Sequence, residues 1–131
     1  MASIFSKIVN GEIPSHKIYE DDYYLAFLDI SPLTMGHTLL IPKKEIDYLF
    51  DINTTEYLKL MEIAKTVSEV IKKVCACNRV GMAVIGLEVP HAHIHLIPIN
   101  SMDDMNFSRP KLNPGNEKLS EMAAKLRNGF N

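Results

Sequence analysis

From His91 to Pro98 the chain alternates strictly, His91-Ala92-His93-Ile94-His95-Leu96 followed by Ile97-Pro98. A period of two is the signature of a strand, in which successive side chains leave opposite faces. The pattern predicts His91, His93 and His95 on one face and Ala92, Ile94 and Leu96 on the other, where they can anchor in a core. Lys17 to Glu20 and Tyr23 to Asp29 read as two more strands, joined by the turn-forming Asp21-Asp22, with Tyr, Phe and Leu supplying β-propensity. Pro32 and Gly36 open a loop, and His37 to Ile41 follows as a third strand ended by Pro42. Gly81 to Leu87 gives the fourth strand and the histidine segment the fifth.

A different period begins after Asn53, which with Glu56 forms a capping-box start. Tyr57, Leu60, Met61, Ala64, Val67, Ile71 and Val74 keep helical spacing, while Glu62, Lys65, Glu69, Lys72 and Lys73 lie off that stripe. The stripe reads as core. Ile4 to Val9 reads as a short helix or turn, and Asn116 to Arg127 as a weaker terminal helix. Between them, Ser101 to Gly115 is polar, carries Pro110 and Pro114, and is expected to wrap the surface. Strands joined by short loops, with one long helix, predict an antiparallel α+β architecture.

At 131 residues and 47% hydrophobic content, the chain suits one domain, residues 1–131, and no repeat or linker divides it. A net charge of −2 excludes the sequence-wide basic field that nucleic-acid polymers require, but a mononucleotide needs only a few groups. No apolar run has the length of a signal peptide core or a membrane span, so the expected location is cytoplasmic, with no membrane partner. Cys75 and Cys77 are too close in sequence to bridge each other and read as small hydrophobes in a reducing compartment. His16, in a loop after Pro14, reads as an exposed polar residue.

Three histidines in a row on one strand face invite three explanations. A merely solvated face explains little, because His is not a favoured strand residue. Neutral imidazoles on a strand form a workable metal site. Alternatively, one imidazole attacks phosphorus while its neighbours neutralise charge in the transition state. The residues alone leave the last two open.

The run His91-Ala-His-Ile-His-Leu-Ile resembles the signature of the histidine-triad family. The likeness extends to Ile4-Phe5-Ser6-Lys7-Ile8-Val9-Asn10-Gly11-Glu12-Ile13-Pro14, to Ala26-Phe27-Leu28-Asp29-Ile30-Ser31-Pro32 and to Gly36-His37-Thr38-Leu39-Leu40-Ile41-Pro42-Lys43-Lys44. It covers residues 3 to 98, is closest to the Hint-like nucleotide hydrolases, and leaves 99–131 divergent. The resemblance implies a homodimer whose two five-stranded sheets join into one of ten strands.

It also implies roles. His93 would be the nucleophile toward the α-phosphorus of a purine nucleoside phosphoramidate or related conjugate, releasing a nucleoside monophosphate through a nucleotidyl-histidine. The carbonyl of His91 would hold the ring of His93, while His95 and His37 would contact phosphate oxygens and assist the leaving group. Asp29 would bind ribose, and Ile4, Phe5, Ile8, Phe27, Ile30 and Leu39 would form the cleft for the base. No cofactor and no catalytic metal are implied. Alternatives are a dinucleoside polyphosphate hydrolase and a weakly catalytic nucleotide-binding regulator.

Several positions depart from the family pattern. Gly86-Leu87-Glu88-Val89-Pro90 puts Glu88 where relatives carry a hydroxyl residue near the phosphate, and Arg79 to Ile85 lacks an Asn that relatives use. An ionised Glu88 at the site would repel phosphate or raise the pKa of an imidazole. Ser3, Ser6 and Glu45 stand where some bacterial relatives hold a structural zinc together with the first triad histidine, so no structural zinc is expected. The Trp that some relatives carry near the C-terminus is absent.

Overall fold

The computed structural model describes residues 2–131. Five antiparallel strands, β1 (Lys17–Glu20), β2 (Tyr24–Leu28), β3 (Thr38–Pro42), β4 (Arg79–Ala83) and β5 (Ile94–Ile99), lie in the order β1-β2-β3-β5-β4. β5 runs antiparallel to both β3 and β4. Those two flanking strands are therefore parallel to each other, and joining them takes a crossover rather than a hairpin. The helix α2 (Thr54–Val74) makes that crossover. It starts where the Asn53 Oδ1 accepts from the Glu56 amide at 2.9 Å.

Alternation along the central strands gives the sheet two buried faces. Tyr24, Ala26, Leu28, Leu40, Ile94 and Leu96 meet Leu60, Ala64, Val67 and Ile71 of α2, and Leu119, Ala123 and Leu126 of α3 (Gly115–Asn128). Leu25, Phe27, Leu39 and Ile41 point the other way and meet Phe5 and Ile8 of α1 (Ile4–Val9). No helix is long and apolar enough to cross a membrane among the described residues.

β2 and β3 lie within one residue of their sequence-based limits at each end, and two other strands differ by more. β4 was expected over Gly81 to Leu87 but ends at Ala83, because its ladder with β5 ends at the Ala83–His95 pair. Gly86 then takes φ +74° and turns the chain, leaving Val84, Ile85 and Leu87 exposed. β5 starts at Ile94, three residues after the start of the alternation. Upstream, the backbone bonds to loops instead: the His91 amide donates to Val89 O at 2.8 Å and the Ala92 amide to Ile46 O at 2.7 Å. His16 is half-buried rather than exposed, 3.1 Å from Asn116 Oδ1 and away from the other histidines.

Candidate active site

His91 and His93 lie in the loop that enters β5, yet the division of sides implied by the alternation persists there. Ala92 enters the core under α2. His91 and His93 turn to the α1 side, where the ring of Phe5 meets them edge-on at 5.9 Å and 4.9 Å. His95 pairs with Leu39 across the sheet and shares its face, and His37, two residues before Leu39, completes the group. Ring centroids are 5.1 Å apart for His93 and His95 and 5.2 Å for His37 and His95.

The hydrogen bonds assign a tautomer to each ring, since a carbonyl only accepts and an amide N–H only donates. His93 Nδ1 donates to His91 O at 2.7 Å, which leaves Nε2 as a lone pair facing outward from that bond. His91 Nε2 donates to Pro42 O at 2.7 Å, so its Nδ1 accepts, from Ser3 Oγ at 3.0 Å. The Leu33 amide donates to His37 Nδ1 at 3.0 Å, so His37 Nε2 carries the proton and donates to His95 Nδ1 at 2.9 Å. His95 consequently presents an Nε2–H. A nucleophilic nitrogen and a donor thus sit on neighbouring rings.

Electrostatics keep His37 and His95 neutral. Burial, then the charges of His95 and Lys111, bring the pKa of His37 down to about 3. Burial and then His93 bring His95 down to about 4. His91 is also lowered by burial, against the opposing pull of Pro42 O and Glu45. Burial raises the pKa of Asp29, whose Oδ1 accepts from the Ser31 amide at 2.9 Å and whose Oδ2 lies 3.7 Å from His37 Nε2.

Asp29, His37 and His95 bring ligand atoms within 4.8 Å of one another. Two nitrogens and a carboxylate are a plausible metal donor set by type. The tautomers argue against it. A metal on His37 Nε2 would move the proton to Nδ1, where it would face the Leu33 N–H donor.

The sequence-based cleft residues divide. Phe5, Ile8, Phe27 and Leu39 are buried in one cluster, while Ile4 is 49% and Ile30 65% exposed at its margin. Glu88 is exposed and forms no ion pair with a histidine among the described residues. Ser3, Ser6, Glu45 and His91 do come together, held by hydrogen bonds.

The divergent C-terminal segment reaches the histidines, which the sequence reading missed. Phe107 packs edge-on against His95 at 5.0 Å and His37 at 6.3 Å. Arg109 holds the segment through Asp103, Asp104 and Leu33 O, and the Leu112 amide donates to Pro32 O at 2.9 Å. The one sequence hint was an aromatic residue, Phe107, inside a largely polar stretch. A cavity of about 520 Å³ reaches His93 from the α2 side, between Tyr48, Phe50, Met82, Ile85 and Leu87. A larger hollow of about 820 Å³, between Tyr24, Lys43 and Lys59, touches none of the histidines.

Comparison with known proteins agrees with this geometry. A family model described as the HIT domain matches residues 10–102. An uncharacterised HIT-like protein of Borreliella burgdorferi is 39% identical over 94% of both chains. The adenosine 5'-monophosphoramidase HNT1 of Saccharomyces cerevisiae is 42% identical over 74% of this chain and 62% of its own. The crystal structure of a HIT-like protein from Bartonella henselae superposes with a TM-score of 0.84 at 31% identity, over 97% of this chain and 95% of the other. With a family model that spans most of the chain and four histidines gathered on one side of the sheet, the protein belongs to the histidine-triad family.

Proposed function

We propose that the protein is a nucleotide hydrolase that cleaves purine nucleoside phosphoramidates or related conjugates at the α-phosphorus. The observation that carries this reading is the His93 Nδ1 to His91 O bond of 2.7 Å, which frees Nε2 as a nucleophile. Its support from relatives is the yeast protein named as an adenosine 5'-monophosphoramidase.

In the proposed reaction His93 Nε2 bonds to phosphorus as the bond to the leaving group breaks, and the leaving nitrogen departs as an amine after taking up one proton. Water then attacks the nucleotidyl-histidine, releases the nucleoside monophosphate and returns a proton. His95 Nε2–H is the donor available to a phosphate oxygen or to the leaving atom. His37 orients it, because the Leu33 amide occupies its far nitrogen and prevents it from relaying a proton onward. Asp29 accepts from the ribose hydroxyls, and the base lies against Ile4, Phe5, Ile8, Phe27, Ile30 and Leu39. The active form is a homodimer.

The test is hydrolysis of a fluorogenic adenosine phosphoramidate in the presence of a chelator, by wild type and by His93→Ala. Turnover that resists the chelator and falls by roughly 10³-fold or more in the variant is expected for loss of a covalent nucleophile. A wild type that binds AMP yet turns over neither this substrate nor a dinucleoside polyphosphate would leave only the nucleotide-binding alternative. Turnover of the dinucleoside polyphosphate alone would move the assignment to that substrate class.

A further inference from the structure

His91 performs no chemistry in the proposed reaction, yet it is fully buried and both of its ring nitrogens are engaged. Its carbonyl is the acceptor that aims His93. Whatever fixes the ring of His91 therefore fixes the nucleophile. One side of that ring is held by backbone, at Pro42 O, and the other by a side chain, Ser3 Oγ.

The serine is itself held from two directions. Its hydroxyl oxygen accepts from the Ser6 amide at 3.0 Å, as the N-cap of α1. Its own amide donates to Glu45 Oε1 at 2.6 Å. The same carboxylate oxygen accepts from Ser6 Oγ at 2.7 Å. Ser6 Oγ also lies 3.4 Å from His91 Nδ1, but its single proton is committed to Glu45, which only accepts. Ser3 is left as the donor to Nδ1. These hydrogen bonds, Ser6 first, then the Ser3 amide, hold the Glu45 carboxyl down to about 2, so the clamp keeps its charge throughout the neutral range. The helix so fixed also carries Phe5, which lies edge-on to His93.

We propose that Ser3, clamped by Glu45, is a positioning residue for His93. It couples the N-terminal helix, and with it one wall of the base cleft, to the aim of the nucleophile. The inference rests on the assignment of His93 as nucleophile, and its test separates the two.

The informative variant is Ser3→Gly. Glycine serves as an N-cap almost as well as serine, so α1 persists while the donor to His91 disappears. A misaimed nucleophile is expected to lower kcat by roughly ten- to a hundredfold, leaving KM and the AMP dissociation constant unchanged. Ser3→Thr retains cap and hydroxyl and should restore kcat.

Nitrogen-15 NMR of the imidazoles reads the same device without catalysis. In wild type the His93 Nδ1 proton should exchange slowly and the His91 Nδ1 resonance should carry the shift of a hydrogen-bonded acceptor. Both are expected to change in Ser3→Gly. Unaltered kcat in an active enzyme, a kcat loss that Thr fails to rescue, or unaltered resonances in either an active or an inactive protein would overturn the proposal. An inactive wild type whose resonances respond as described would instead count against the hydrolase reading alone.

Discussion

Gly36 immediately precedes His37, at φ +104°, and a β carbon there would come within 2.7 Å of Cys75 Sγ and 3.2 Å of Pro98 Cγ. Both neighbours are buried, so neither yields easily. Gly36→Ala should cost about 3 kcal/mol, combining left-handed strain with overpacking, as read by urea unfolding. Gly11→Ala is the control, since Gly11 has φ +79° but nothing within 4 Å of the added carbon, so it should show the smaller loss due to strain alone. The next residue sets the response to acid. His37 and His95 stay neutral in the folded state to about pH 3 and 4, whereas the unfolded chain protonates them near the ordinary value of 6.5. The unfolded state binds more protons across that window, so their contribution is fully present above pH 6.5 and is lost as pH falls toward 4. The melting temperature should drop over that range, and less steeply in His37→Asn; an equal slope in the variant would show that His37 is not among the groups responsible.

The segment from the short 3₁₀ turn Met102–Met105 to Leu112 is tied down by one side chain above all. Arg109 reaches Asp103, Asp104 and the Leu33 carbonyl, and so fastens this segment to the loop that precedes His37. Arg109→Ala should release Phe107 from His95, increase proteolytic cleavage between residues 103 and 112, and raise KM more than it lowers kcat. Protease resistance equal to wild type would show that the segment is held by other contacts. None of these long-range ties was legible in the sequence, where a polar stretch with two prolines shows only that no strand or α-helix forms. By contrast, α2 was legible because its stripe and its Asn53 cap are local. The histidine face was legible for a different reason: sidedness survives in an extended loop, so His91, Ala92 and His93 segregate correctly although the strand begins only at Ile94. The far end of β4 misled because Val84-Ile85 and Leu87 have strand composition, while pairing is decided by a partner that has already turned away at His93.

The two edges of the sheet differ in a way that bears on assembly. At β1 the Lys17–Glu20 ion pair flanks the strand, Lys43 adds a second partner to Glu20, and Arg127 donates to the Lys17 carbonyl at 2.7 Å, so that edge is charged and capped. At β4, past the exposed Arg79 at its start, Met82 and the residues that follow the strand, Val84, Ile85 and Leu87, expose apolar side chains, the last 89% exposed, with Tyr48 and Phe50 beside them. An apolar open edge next to an apolar cavity suits a second copy of the same surface, and a two-fold axis there would pair β4 with its counterpart and extend the sheet from five strands to ten. The same cavity reaches His93, so a partner seated there would share a wall with the proposed catalytic site. Wild type is expected to sediment as a dimer at micromolar concentration. Ile85→Glu, which alters no hydrogen bond in the five-stranded sheet, should weaken association by roughly a hundredfold or more, a cost of about 3 kcal/mol for one buried charge at the interface. Its melting temperature in the monomeric form should stay cooperative while phosphoramidate turnover declines with dissociation. A wild type that sediments as a monomer would remove the dimer, and a fully active monomeric variant would remove the partner from the site.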